Sequence, residues 1–204
     1  MSGPGRSCPL AYRYRPEDLA GPVAFECTTL YVVGGLYGNT CALMAVLERA
    51  ASEPTPPEIV FNGDFHYLDA HLPAFDAIAT SVLAHRTSLG NVEYVLATDD
   101  TALGCGCNYP EYVPDSVVAD SNAVIQQLRA TAAGRPAYLA QLAGLPRYLT
   151  ASLGGRRVGI VHGDPESLVG WTLALEALDP PHWEARPHRL VRHSHQHRPG
   201  PQVV

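Results

Sequence analysis

The sequence predicts a single domain with a layered α/β fold, and three observations carry that prediction. Short apolar runs rich in β-branched residues alternate with segments of helical apolar spacing in the first half of the chain. Two further strand-like runs flank Gly154-Gly155, the strongest hairpin signal present. A chain of 204 residues with 46% hydrophobic content can bury one substantial core. Strand–helix alternation followed by a hairpin predicts mixed sheets.

The elements can be placed in order along the chain. A lead rich in Pro and Gly, residues 1–22, is expected to be flexible, and the domain is expected to occupy 23–179. Helices are predicted where apolar residues recur on one face, and strands where short apolar runs stop at turn residues. The predicted strands are 30–33, 58–62, 148–153 and 157–162, and the predicted helices are 40–51, 70–84 and 115–133.

Composition excludes several classes of protein. The formal net charge of −6 argues against a general nucleic-acid binder. No apolar run approaches the roughly 20 residues that a membrane span needs, and the first residues lack the apolar centre of a secretory signal. The five Cys form no CxxC pair, so reduced thiols are expected. We therefore expect a soluble, cytoplasmic protein that does not act at a membrane.

Composition changes near residue 180. The last 25 residues hold five of the nine His and four of the 14 Arg against one acidic residue, with Pro throughout. Such a composition is typical of an irregular segment rather than a packed terminus. We expect 180–204 to be an irregular tail that is truncated or read out of frame.

The glycine-rich turn GGLYGNT, residues 34–40, links the first long strand to the first helix. It is not a nucleotide phosphate loop, because Gly34 to Gly38 is one residue too short and Asn39 stands where Lys is required. It also lacks the G-x-G-x-x-G spacing of dinucleotide-binding proteins. A helix N-terminus still favours an anion, so Gly38 and Asn39 are candidate phosphate-binding residues.

Five short motifs, in order over residues 29–199, resemble those of the calcineurin-like metallophosphoesterases. GGLYGN follows the first strand where that family has SDxHGN, which places Gly35 at the family's aspartate and Tyr37 at its histidine. FNGD, GNVE, VHGD and SHQHRP then stand where the family has GD, GNH[ED], a strand-ending histidine and GHxHxP. The resemblance implies a four-layer α/β/β/α sandwich with two mixed sheets.

The resemblance also implies a metal centre that has lost part of one site. Family members hold two ions bridged by the aspartate of GD, and here Gly35 and Tyr37 replace two ligands of one ion. We therefore expect a single divalent ion, Mn, Fe or Zn, with Tyr37 or His66 as possible substitute ligands. The metal ligands implied are Asp64, Asn91, His162, His195 and His197.

The implied function is a metal-dependent phosphoesterase of weak activity, acting on a small phosphorylated molecule. Val92 stands where the family's GNH histidine would assist as an acid, so no catalytic residue is assigned. The alternative function is a catalytically inactive module that binds a phosphorylated ligand or a protein partner.

Each metal ligand has an ordinary structural alternative. Asp64 could be a helix cap or turn residue, and Asn91 could sit in a plain turn before a strand at 92–96. His162 could be a buried, hydrogen-bonded strand histidine. His195 and His197 could match the H-x-H pattern by chance in a His-rich tail.

Overall fold

The structure is a computed structural model that describes residues 3–173. Within these residues it contains two three-stranded sheets, five α-helices and three short 3-10 turns. In chain order, the strands and α-helices are β1 Phe25–Cys27, β2 Leu30–Val33, α1 Thr40–Ala51, β3 Glu58–Asn62, α2 Leu72–Leu83, β4 Arg86–Ser88, α3 Asn91–Ala97, α4 Asp115–Ala132, α5 Pro136–Ala143, β5 Tyr148–Leu153 and β6 Arg156–Val161.

The two sheets differ in strand direction. The first has the order β2-β3-β4 with all strands parallel, because α1 and α2 serve as the crossover connections between them. The second has the order β1-β5-β6, in which β1 is parallel to β5 and the β5–β6 hairpin is antiparallel. The predicted α/β class is confirmed. The prediction that both sheets are mixed is wrong for the first sheet, because its strands within residues 3–173 are all parallel.

Alternating side chains on β2 and β3 separate two faces of the first sheet. Val32 and Val60 pack with residues of the second sheet, including Ala151. Ile59 and Phe61 pack instead with the helices, in a cluster that includes side chains of α1, α2, α4 and α5. The described chain is therefore layered as helices, parallel sheet and mixed sheet, with one core on each side of the parallel sheet.

Local sequence signals account for the helix boundaries. Helix α1 has the predicted bounds, and the Asn39 side chain caps it by accepting a hydrogen bond from the N–H of Ala42 at 2.9 Å. Helix α2 begins two residues later than predicted, with a Pro in its first turn. The alternative strand at 92–96 is wrong, because these residues lie in α3. No helix within residues 3–173 combines the length and apolar character needed to cross a membrane.

Residues 3–22, which the sequence assigns to a flexible lead, contact the rest of the domain at specific points. Tyr12 is completely buried, and its carbonyl accepts a hydrogen bond from the N–H of Leu168 at 2.9 Å. The Arg6 guanidinium donates to the carbonyl of Pro110 at 2.7 Å and to that of Val113 at 2.6 Å. The tail from residue 180 lies outside the described residues.

The turn after β3 brings two loops into contact through glycines. Gly63 has φ +72°, and Asp64 follows it with φ +51°. A Cβ at Gly63 would lie 2.5 Å from Cα of Gly90 and 2.8 Å from Nδ1 of His162. Only a residue without a side chain fits both this backbone conformation and this space. Gly63 therefore sets how closely the ends of β3, β4 and β6 can meet.

We predict that Gly63→Ala lowers the free energy of unfolding by about 2–4 kcal/mol, from left-handed strain and overpacking together. The matched control is Gly134→Ala, since a Cβ there meets nothing within 4 Å. Urea unfolding of both variants measures the difference. Equal stabilities for the two variants would show that the loops can separate without cost.

Candidate functional site

Three polar side chains of the predicted metal centre meet where strands from both sheets end. Asp64 follows β3, Asn91 follows β4, and His162 comes directly after β6. Their exposed fractions are 1%, 0% and 5%. Ligands commonly bind beyond the carboxyl ends of parallel strands, which is where Asp64 and Asn91 lie. The structure thus brings together three of the five predicted ligands.

The distances within this cluster fix the orientation of each side chain. His162 Nδ1 lies 2.8 Å from the carbonyl oxygen of Asn62, and a carbonyl only accepts, so Nδ1 carries a proton. His162 Nε2 lies 3.4 Å from Oδ1 of Asp64 and 3.3 Å from Oδ1 of Asn91. The Asn91 amide nitrogen donates to the carbonyl of Cys105 at 3.0 Å, which turns its oxygen towards His162.

Two oxygen atoms therefore lie close to His162 Nε2, and a positive charge between them and the ring nitrogen would stabilise this arrangement. A second proton on His162 is one solution: burial favours the neutral ring, but the Asp64 charge and hydrogen bonds outweigh it and raise the pKa of His162 to about 9. A divalent cation is the other. Two ligand atoms about 2.1 Å from a metal, at a tetrahedral angle, are about 3.4 Å apart, so the spacing fits.

Glu93 holds the loop that carries Asp64. Its carboxylate is completely buried and accepts four backbone hydrogen bonds. One oxygen accepts from the N–H of Asp64 at 2.7 Å and of Gly90 at 3.1 Å, and the other from Phe65 at 3.1 Å and His66 at 3.3 Å. Burial, followed by the Asp64 charge, raises the pKa of Glu93 to about 8, and hydrogen bonds from backbone N–H groups oppose this rise. Glu93 thus joins the β3 and β4 loops.

Val92 takes part in the site only through its backbone. Its N–H donates to Oδ1 of Asp64 at 3.1 Å, while its side chain is 1% exposed and lies in the main hydrophobic core. No proton donor is available from this side chain, as the sequence predicts.

The turn after β2 has no room for a side chain at position 35 while the Tyr37 ring keeps its position. A Cβ at Gly35 would lie 2.5 Å from Cζ and 2.9 Å from the hydroxyl oxygen of Tyr37. Burial, and then the Asp64 charge, raise the pKa of Tyr37 well above its ordinary value. The phenol is therefore neutral, and a neutral phenol is a poor metal ligand. Its electrostatics do not favour the predicted role of Tyr37 as a substitute ligand.

His66 is a hydrogen-bonded core residue. Its Nδ1 lies 2.6 Å from Oδ2 of Asp69, and its Nε2 bonds the Tyr138 hydroxyl. The ring is fully buried and stacks on Phe75 at 4.1 Å. Both ring nitrogens have protein partners, so His66 would have to give up one of these bonds to bind a metal, and its role as a substitute ligand stays a prediction.

The backbone of the predicted phosphate-binding residues is also engaged. The N–H of Gly38 donates to the carbonyl of Phe65 at 2.9 Å, and the N–H of Asn39 donates to that of Leu36 at 2.9 Å. The Asn39 side chain caps α1. These groups hold the turn against the Asp64 loop, and phosphate binding by Gly38 and Asn39 stays a prediction that these contacts do not support.

The remaining predicted ligands, His195 and His197, lie outside the described residues. Within residues 3–173, no group of three or more His, Cys, Asp and Glu side chains is arranged to hold a metal. The third member of the cluster described above is an asparagine, whose oxygen is a ligand of a different type.

Sequence reasoning missed two supporting residues, Glu93 and Cys105. The sequence does carry a signal for Glu93, because an acid three residues after a helix N-cap, here Gly90, forms a capping box. Cys105 acts through its backbone carbonyl, which no side-chain pattern reveals. The thiols of Cys105 and Cys107 are both buried, and neither forms a disulfide.

Comparisons with known proteins leave the family open. No family model matches the chain, and no curated protein matches it. One similar solved structure is the crystal structure of hypothetical protein PH1004 from Pyrococcus horikoshii OT3, with 16% sequence identity and a TM-score of 0.42. The match covers 66% of this chain and 53% of that one, so this chain spans about half of its length.

We predict that Glu93→Gln destabilises the protein by at least about 2 kcal/mol at pH 9, above the pKa of about 8 of this carboxyl, because the amide NH₂ would face backbone N–H donors and leave them unpaired. Glu48→Gln on the exposed side of α1 is the matched control and should change stability by less than about 0.5 kcal/mol. Chemical denaturation measures both. A loss no larger than that of the control would mean that the two loops do not depend on the carboxylate.

Proposed function

We propose that the protein is a metal-dependent phosphoesterase that binds one divalent ion, Mn, Fe or Zn, and hydrolyses a small phosphorylated molecule slowly. The observation that carries the proposal is the convergence of Asp64, Asn91 and His162. His162 Nε2 lies within 3.4 Å of both oxygens, and its other nitrogen is fixed by the Asn62 carbonyl. A histidine held in this way, with a backbone partner for its remote N–H, is typical of a metal ligand.

The fold supports the same family. A calcineurin-like metallophosphoesterase is expected to have a four-layer α/β/β/α sandwich with two mixed sheets. The described residues supply three such layers, with helices against a parallel sheet that packs on a mixed sheet. The four motifs within residues 3–173 fall at strand ends, where that family places its ligands. His195 and His197 would complete the ligand set.

The residues present have defined roles in this proposal. A bound divalent ion would polarise a phosphoryl oxygen and make a bound water more acidic. Asp64 would supply the negative ligand, Asn91 and His162 would supply neutral ones, and Glu93 holds the Asp64 loop by its backbone. Slow turnover is expected because Gly35 and Tyr37 stand where the family has two further ligands, and because Val92 is apolar, since general acid assistance contributes roughly 10²–10⁴-fold.

The alternative function is a catalytically inactive module for a phosphorylated ligand or a protein partner. The spacing of the cluster also allows it, because a second proton on His162, whose pKa is raised to about 9, would face the oxygens of Asp64 and Asn91 without any metal. Metal content separates the two functions.

We predict that the purified protein binds one Mn²⁺ per chain and that Asp64→Asn lowers the affinity at least about tenfold. Asn tolerates the left-handed backbone at this position, so the variant removes the charge without straining the turn. Asp76→Asn, an exposed partner of Arg135, is the matched control. Calorimetric titration and elemental analysis measure stoichiometry and affinity. Two tightly bound ions, or unchanged binding by Asp64→Asn, would contradict the one-site proposal.

We predict that Gly35→Asp with Tyr37→His creates a second ion site and raises phosphodiester hydrolysis by at least about tenfold, or about 1.4 kcal/mol of barrier. The two changes are needed together, because an Asp Cβ at position 35 would collide with the Tyr37 ring. Gly35→Asp alone is the control and should gain neither ion nor rate. Hydrolysis of a nitrophenyl phosphodiester with Mn²⁺ measures the rate. A double variant that folds but gains neither an ion nor rate would contradict the resemblance of the 34–40 turn to a metal-binding turn.

A further inference from the structure

An open groove of about 480 Å³ lies between the residues before β1 and those at the start of β5. Hydrogen bonds fix its walls, since the N–H of Ala24 donates to the carbonyl of Thr150 at 2.8 Å and the Thr150 hydroxyl donates to the carbonyl of Pro22 at 3.0 Å. The groove is therefore part of the fold, and it presents apolar surface to an occupant. Its apolar lining residues are Pro22, Ala24, Leu145, Pro146 and Leu149.

Two arginines place positive charge beside this groove. Arg147 lines the groove, and its guanidinium donates to the carbonyl of Arg13 at 3.3 Å. Both arginines are exposed, and within residues 3–173 neither forms a salt bridge with a carboxylate. An occupant that combines apolar side chains with carboxylates would therefore match the groove.

The last described residues lie close to the groove. The Thr172 hydroxyl donates to Oδ2 of Asp164 at 2.8 Å, and the carbonyl of Asp164 accepts from the Tyr14 hydroxyl at 2.5 Å. The Tyr14 ring contacts that of Tyr148, a groove residue, at 5.2 Å between centroids. Only two residues thus separate Thr172 from the groove. Because six extended residues span about 20 Å, the segment 174–179 is long enough to reach it.

We propose that the segment 174–179 occupies this groove, which makes the groove a docking site for the chain's own continuation. Leu175 and Leu178 cover the apolar wall, and Glu176 and Asp179 supply carboxylates for the two arginines. None of these residues is a candidate metal ligand, so docking is independent of the proposed phosphoesterase activity.

Tethering favours this segment over other occupants. The segment follows directly on the last described residues, and a short link gives an effective concentration on the order of mM. A second copy of the chain or a separate protein would have to reach a similar concentration to compete.

The test is hydroxyl-radical footprinting of the full chain, in which mass spectrometry measures how fast each exposed side chain is oxidised. Leu175→Asp combined with Leu178→Asp puts charge against the apolar wall and should release the segment. We expect oxidation of the two groove Leu side chains to rise at least about fivefold, the population ratio that about 1 kcal/mol of docking free energy produces. Leu10→Asp combined with Leu68→Asp, at residues that are 82% and 72% exposed, is the matched control and should leave these rates unchanged.

Charge reversal tests the role of the arginines. Arg147→Glu should raise the same oxidation rates, because it repels the acidic segment. Adding Glu176→Arg and Asp179→Arg should return the rates to those of the parent. A general disturbance of the groove by Arg147→Glu would not be reversed in this way.

Three outcomes would overturn the assignment. The first is equal oxidation in the parent and in Leu175→Asp with Leu178→Asp, since the segment would then not cover the groove. The second is a failure of the charge-reversed segment to restore protection to Arg147→Glu. The third is protection that is lost on dilution of the protein, because a second copy would then be the occupant.

Discussion

Four backbone N–H groups from two loops end on the buried carboxylate of Glu93, and the site depends on this interaction. It begins helix α3, which carries Asn91 in its first turn, and it holds the left-handed turn at Asp64. The spacing of these two side chains is therefore set by backbone geometry more than by their rotamers. A site built in this way is organised before any ligand binds.

The parts of the fold that follow from local chemistry could be predicted from the sequence. Helix α1 and strands β2, β3 and β5 have the predicted bounds, because their apolar periodicity and the turn residues at their ends are local signals. The region 92–96 was ambiguous because Val92 and Val95 suit a strand as well as a buried helix. The deciding group was Glu93, whose hydrogen bonds to Asp64 and its neighbours cross between two loops.

The parts of the site that depend on contacts distant in sequence could not be predicted. His66 Nε2 bonds the hydroxyl of Tyr138, 72 positions away. The closeness of His66 to Asp64 in the sequence therefore does not show that this nitrogen can bind a metal. The carbonyl that orients the Asn91 side chain belongs to Cys105. Motif matching did identify Asp64, Asn91 and His162 as a group, because the ends of adjacent strands meet wherever the layers form.

Positions 35 and 37 behave as one structural unit. Their residues compete for the same space, so a small residue at 35 is a condition for the ring at 37. A residue held at positive φ costs on the order of 1–3 kcal/mol and persists only when its surroundings determine it. Gly35 and Tyr37 therefore form one coupled arrangement, in which a side chain added at position 35 requires a change at position 37.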